Sequence, residues 1–150
     1  MRNFFIVTAL LLLGIGPVTA QTAPEDITNR FFELYQEKGS DAAVEYIFST
    51  NVWLNNAQSE VAAIKLQLKK GIAIIGQYYG YELIEKKMLG ESYAMMSYML
   101  RYSRQPIKFT FILYKPDKNW QVQNMKFDDR LETDIGYERS PSAAGSGGQK

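Results

Sequence analysis

Apolar positions along the chain follow three successive patterns. From Phe4 through Leu13, and loosely on to Ile15, they are continuous. From Ile27 to Ile75 they recur at helical spacing, and from Tyr78 onward they alternate. The helical stretch divides in three. Ile27, Phe31, Leu34 and Tyr35 form one stripe, entered through Thr22-Ala23-Pro24-Glu25, which reads as a capping box with Pro in the first turn, and closed by Gly39. Ser40 reads as the cap of a short second helix with Ala43, Val44, Ile47 and Phe48 on one face. A third helix starts near Ser59, carries Val61, Ile64, Leu68, Ile72 and Ile75 as its stripe, and ends at Gly76. Residues 51–56 form a loop around Trp53 and Leu54.

The alternating region predicts four strands, over about 78–88, 92–103, 107–115 and 119–129. Leu89-Gly90, Arg104-Gln105-Pro106 and Pro116-Asp117-Lys118-Asn119 carry turn chemistry between them. Links this short make an antiparallel meander. The fold class is therefore α+β, with three N-terminal helices packed on a curved four-stranded antiparallel meander sheet.

Register arguments assign the faces. A tight turn at 104–105 pairs Leu100 with Phe109, Tyr98 with Phe111 and Met96 with Leu113, and puts Tyr79, Tyr81 and Leu83 alongside Tyr98. In the last strand, Trp120 and Val122 have one parity and Met125 and Phe127 the other, so a β-bulge is expected near Gln123-Asn124. The inner face then holds these residues with Phe111, Val122, Met125 and Phe127. The outer face mixes Glu82, Arg101, Lys108, Lys126 and Asp128 with Ile84, Tyr93, Met95, Met99, Ile112 and Tyr114. That is more apolar surface than a solvated sheet face needs, and these six apolar residues read as a partner or homodimer surface; scattered exposed hydrophobes are the plainer alternative.

The continuous apolar run changes the domain picture. Met1-Arg2-Asn3 supplies a positive start, Gly16-Pro17 breaks the run, and Val18-Thr19-Ala20 ends in a small residue. This order marks a secretory signal peptide over 1–20, cut after Ala20. The run is too short for a membrane span, which needs roughly 20 apolar residues. No Cys follows it, so no lipid anchor is expected, and the product is expected in the periplasm or outside the cell. Residues 21–134 form one α+β domain. Residues 135–150 end in a Ser/Gly/Ala-rich stretch from Ser140 that reads as a disordered tail.

Composition then excludes chemistry. The chain has 17 basic and 16 acidic side chains. Loss of Arg2 with the signal makes the mature chain neutral, which leaves no electrostatic footprint for nucleic acid or an anionic membrane. With no His and no Cys there is no Ser-His-Asp triad, Cys-His pair, disulfide or ordinary zinc site. No phosphate loop forms around Gly76 and Gly80. No cofactor, metal or catalytic residue is assigned.

Candidate binding residues are Trp53, Tyr79, Tyr81, Tyr98, Phe111, Met125 and Asp129. The tyrosines supply phenols on the inner face, although core aromatics with hydroxyls at the rim are the plainer reading. Asp129 is the inward member of Asp128-Asp129, since neighbours on a strand point to opposite faces. Glu85 is also expected inside. Asn51, Asn55 and Asn56 surround Trp53, which either closes a pocket mouth or plugs the end of the domain.

The helix pattern Ile27-Phe31-Phe32-Leu34-Tyr35, the Trp53 loop, Phe109-Thr110-Phe111 and Trp120-Gln121-Val122 together resemble the nuclear transport factor 2-like superfamily, a cystatin-like cone of helices on a curved sheet. The resemblance covers residues 25–132 and is nearest to small exported bacterial members of uncharacterised function. It implies an apolar pocket between helices and sheet. The superfamily includes ketosteroid isomerase-like enzymes, dehydratases and binding modules, and fold alone does not choose among them. Three readings follow: an exported non-enzymatic domain binding a small apolar ligand or a protein partner; a His-independent isomerase or hydro-lyase with Asp129 as base; and an accessory subunit of an envelope assembly.

Overall fold

The computed structural model describes residues 23–54 and 57–136. The expected signal peptide, Asn55, Asn56 and the Ser140–Lys150 tail lie outside the described residues. The elements run α1 (Pro24–Lys38), α2 (Ser40–Ser49), a 3-10 turn (Val52–Leu54), α3 (Gln58–Ile75), β1 (Tyr78–Leu89), β2 (Tyr93–Tyr102), β3 (Ile107–Tyr114), β4 (Gln121–Asp128) and a closing 3-10 turn (Glu132–Ile135). This is the expected α+β arrangement, helices first, with the four strands in the order β1-β2-β3-β4, antiparallel throughout. Among the described residues no helix is long and apolar enough to cross a membrane.

Local chemistry explains the helix ends, with two changes from expectation. Asp26, not Glu25, reaches back to the first turn, its carboxylate accepting from the Ala23 N–H at 3.1 Å. Gly39 (φ +86°) precedes α2 as its cap, and Ser40 is already helical. A positive φ there suits glycine, which has no Cβ to clash.

α1 lies on the inner sheet face. Phe31 meets Phe109 and Phe111 at ring distances of 6.0 and 5.0 Å, and Phe32 stacks on Tyr81 at 3.9 Å. α2 reaches the free edge of β4. There Thr50 Oγ1 accepts from the Val122 N–H (3.0 Å) and Asn51 Nδ2 donates to the Val122 carbonyl (2.7 Å), so two side chains satisfy backbone groups that an edge strand leaves unpaired. α3 buries Leu68 and Ile75 fully, while Val61, Ile64 and Ile72 pack half-buried at the core's margin.

The bulge expected near Gln123 is present: Ile112 pairs with Asn124 and Leu113 with Val122. The β2–β3 register differs from expectation by two residues. Leu100 pairs with Ile107, Tyr98 with Phe109, Met96 with Phe111 and Ala94 with Leu113. The turn is centred between Ser103 and Arg104, one residue earlier than expected, so each β2 residue meets a β3 partner two positions nearer the turn. A slip of two leaves every side chain on its expected face, because the pleat repeats every two residues.

β1 corrects the parity argument. It carries irregularities between Tyr78 and Gly80 and between Leu83 and Glu85. Tyr78, opposite Tyr102, points inward in place of Tyr79. Beyond the second irregularity Glu85 pairs with Ser97 on the outer face, and Lys86, opposite Met96, turns toward the helices and ion-pairs with Glu25 of α1.

Candidate functional site

The seven candidate binding residues do not meet around one cavity. Phe111 and Met125 are packed in the core with Phe31, Phe32 and Phe109. Tyr98 is buried beneath α1, its hydroxyl 2.6 Å from Thr28 Oγ1. Tyr81 is held against Phe32. These four side chains belong to, or pack against, the core between the helices and the sheet. Trp53 is 83% exposed and plugs nothing; its backbone N–H donates to Asn51 Oδ1 at 3.1 Å. Asp129 is exposed and lines a groove with Ile84 and Met99, two residues of the outer sheet face. The inward placement expected of Asp129 is thus overturned: β4 ends at Asp128, and the chain beyond it turns across the outer face, where Asp134 ion-pairs with Lys108.

Tyr79 alone among the seven lines a cleft of about 710 Å³ at the end of the domain where α1, α3 and β1 converge. The other walls are Tyr35 and Gln36 from α1, Gly39 and Ser40 at the α1–α2 junction, Ile72 and Gly76 from the end of α3, and Gln77, Tyr78, Gly80 and Tyr102.

A backbone clip shapes this end. Gly76 has φ +93°, and a Cβ there would sit 2.1 Å from Ser103 Oγ. The approach is close because the two segments are tied. Gln77 N–H donates to Ser103 Oγ (3.0 Å), Ser103 N–H to the Gln77 carbonyl (2.9 Å) and Arg104 N–H to the Ile75 carbonyl (3.1 Å). Arg104 Nη1 adds a bond to the Ile74 carbonyl at 2.8 Å. The start of β1 is therefore pinned to the β2–β3 turn. Directly after the clip, Tyr78 faces Tyr102 while Gly80 faces Arg101, so Tyr79 is the extra residue of a bulge. A bulge abolishes the usual alternation and re-aims a side chain. Two consecutive tyrosines consequently line one cleft, Tyr78 within it and Tyr79 57% exposed.

Tyr78 lies between Tyr35 (5.3 Å) and Tyr102 (5.5 Å), and the Tyr35 and Tyr102 hydroxyls hydrogen-bond to each other. Burial raises the pKa of all three phenols. Tyr78 is pushed up to about 12, and Tyr35 and Tyr102 also rise, the hydrogen bond from Tyr35 partly opposing the rise at Tyr102. Each phenol is therefore protonated at neutral pH. The Tyr78 hydroxyl is buried and has no hydrogen-bond partner among the described residues. No Asp, Glu, Lys or Arg lines the cleft. Its chemistry is aromatic faces, amides and hydroxyls, without the carboxylate that proton abstraction requires.

Tyr35, Tyr78 and Tyr102 were not legible as site residues from local spacing. A glycine inside a strand pattern signals a bulge, and Gly80 was that signal.

The candidate interface residues sit on the outer face as expected of their parity. Tyr93 opposes Tyr114, with ring centroids 6.5 Å apart, and Met95 opposes Ile112. Ile84 and Met99 instead line the groove of about 540 Å³ shared with Pro106, Leu131, Asp129, Glu132 and Asp134. Among the described residues no three potential metal ligands of the His, Cys, Asp or Glu type gather. No protein-family model, curated protein or solved structure matches this chain significantly.

Proposed function

We propose that this chain is an exported, non-enzymatic ligand-binding domain of the cone-shaped nuclear transport factor 2-like type, with the tyrosine cleft as its site. The observation that carries the reading is the bulge at Tyr79, which interrupts the ladder and places an exposed aromatic ring beside Tyr78 in the same cleft. Its volume of about 710 Å³ falls in the range of small-molecule pockets, about 300–1,000 Å³. The order of three helices and then four strands supports the superfamily reading, and the leader pattern of residues 1–20 supports periplasmic or secreted placement. Intact-mass analysis of the protein expressed in a bacterial host tests export: a mature chain beginning at Gln21 is expected, and a full-length chain rejects it. Amide chemical shifts recorded against a library of small neutral fragments test the cleft. Shifts are expected to concentrate at Gln77, Tyr79 and Gly80; hits confined to other surfaces reject the site.

A second reading concerns the outer face, where Tyr93 and Tyr114 are each more than a third exposed beside half-buried Met95 and Ile112. This patch suits a second copy of the chain. Light scattering after size exclusion is expected to show a dimer at high micromolar concentration, dispersed by Tyr114→Lys; a monomer throughout removes the reading.

A further inference from the structure

We infer that the tyrosine cleft takes an uncharged, polyhydroxylated ring, a pyranose-type sugar, with the exposed face of Tyr79 as its platform. This inference rests on the ligand-binding reading of the same cleft. Three features select the class. The first is charge. None of the eleven lining residues is an acid or base other than tyrosine. Arg101 borders the cleft, its guanidinium donating to the Tyr79 carbonyl at 3.4 Å, but it is paired with Glu82, and Lys69 is paired with Asp41. A charged ligand entering here would lose water without meeting a free counter-charge.

The second feature is the mixture of lining groups. A purely apolar ligand would cover the Gln36 and Gln77 amides and the Ser40 hydroxyl, and a covered polar group without a partner costs about 1–3 kcal/mol. A ligand with hydroxyls around its edge supplies both donors and acceptors to those groups. Amides offer both in turn, so they read hydroxyls whichever way these point.

The third feature is the geometry of the rings. Tyr35, Tyr78 and Tyr102 occupy one another at 5.3 and 5.5 Å. Tyr79 is 57% exposed and set out of the ladder by the bulge. A ring with a flat C–H face and a polar edge covers an exposed aromatic face while its edge stays hydrogen-bonded, the division that aromatic residues serve at half-wet sites. The cleft's volume admits more than one such ring.

Titration of the mature protein with cellotriose, maltotriose, chitotriose, trigalacturonate and 2-naphthol, followed by amide shifts and calorimetry, tests the inference. At least one neutral trisaccharide is expected to shift Gln77, Tyr79 and Gly80, with a dissociation constant in the micromolar to millimolar range. Tyr79→Ala is expected to weaken that binding at least tenfold and Gln77→Ala about threefold. Trp53→Ala, which removes an exposed aromatic outside the cleft, is expected to leave it within twofold. Should Trp53→Ala rather than Tyr79→Ala abolish binding, the platform is misplaced and the inference falls. Tighter binding of trigalacturonate than of every neutral sugar overturns the class. If 2-naphthol shifts the cleft amides and no sugar does, the sugar class is wrong while the ligand-binding reading stands. If no probe shifts them, both fall.

Discussion

Tyr78→Phe is expected to stabilise this domain. The Tyr78 hydroxyl is buried without a partner among the described residues, while its ring packs between Tyr35 and Tyr102. An unpaired buried hydroxyl costs about 1–3 kcal/mol in lost hydration. Phenylalanine keeps the ring contacts and removes that cost, but leaves a gap of one atom, which takes back part of the gain. The net expectation is about 1 kcal/mol of added stability, or about 4 °C in Tm for a domain of this size. Tyr102→Phe removes a hydroxyl of the same kind from the same cluster and is expected to act oppositely. It leaves the Tyr35 hydroxyl, now paired with Tyr102, buried and unsatisfied, at a loss of about 1–2 kcal/mol. Combining Tyr35→Phe with Tyr102→Phe removes both partners, so the double variant is expected to be more stable than Tyr102→Phe alone by about 1 kcal/mol. Urea unfolding followed by far-UV circular dichroism gives all four stabilities, and an unchanged slope establishes that the unfolded states are comparable. A Tyr78→Phe variant that loses stability, or one indistinguishable from Tyr102→Phe, refutes the hydrogen-bond assignment.

Alkaline pH is expected to destabilise the native state. Burial raises the Tyr98 phenol from 10 to about 12, so the unfolded chain releases this proton first. The contribution is complete below about pH 10 and lost as pH climbs toward 12, on the order of 1–2 kcal/mol for this buried group after solvent screening; Tyr35, Tyr78 and Tyr102 add in the same direction. Urea midpoints at pH 8 and pH 11.5 measure it, and a Tyr98→Phe variant with an equally steep pH dependence contradicts the assignment. Asn51→Ala strands the Val122 carbonyl and the Trp53 N–H, for an expected loss of about 2–4 kcal/mol; a change below 1 kcal/mol in equilibrium unfolding shows that water or a neighbour replaces the side chain. Gly76→Ala combines a positive φ with the Ser103 contact and is expected to lose about 2 kcal/mol, with faster hydrogen exchange at the Gln77 and Ser103 amides; unchanged exchange means the clip tolerates a Cβ.

Period and parity made much of the architecture legible. The helical spacing of Ile27, Phe31, Leu34 and Tyr35 identified α1 and its buried face, because a stripe of apolar residues at that spacing can be buried only on a helix. Alternation identified β2 and β3 and their core side chains Met96, Tyr98, Leu100, Phe109 and Phe111. The parity break between Val122 and Met125 even located the β4 bulge, since a strand without an extra residue would send one of them to the wrong face.

The candidate site was less legible, and β1 shows why. Tyr79, Tyr81 and Leu83 alternate without a break, so the local pattern favoured an inward Tyr79 over an inward Tyr78. The choice between them lies in contacts from distant parts of the chain: Ser103 and Arg104 clip Ile75 and Gln77, and the Tyr35–Tyr102 pair makes room for the Tyr78 ring. The cleft likewise exists only where the ends of α1, α3 and β1 converge, and no spacing within one segment encodes that meeting. Likewise Asp129 leaves the inner face because the strand ends one residue before it and the chain crosses to Lys108. Local periodicity settles which face an element buries, because burial acts on each residue through its own pleat or turn. Where elements end and where a ladder slips is settled by the balance of contacts among them, and those contacts come into being only when the whole domain is assembled.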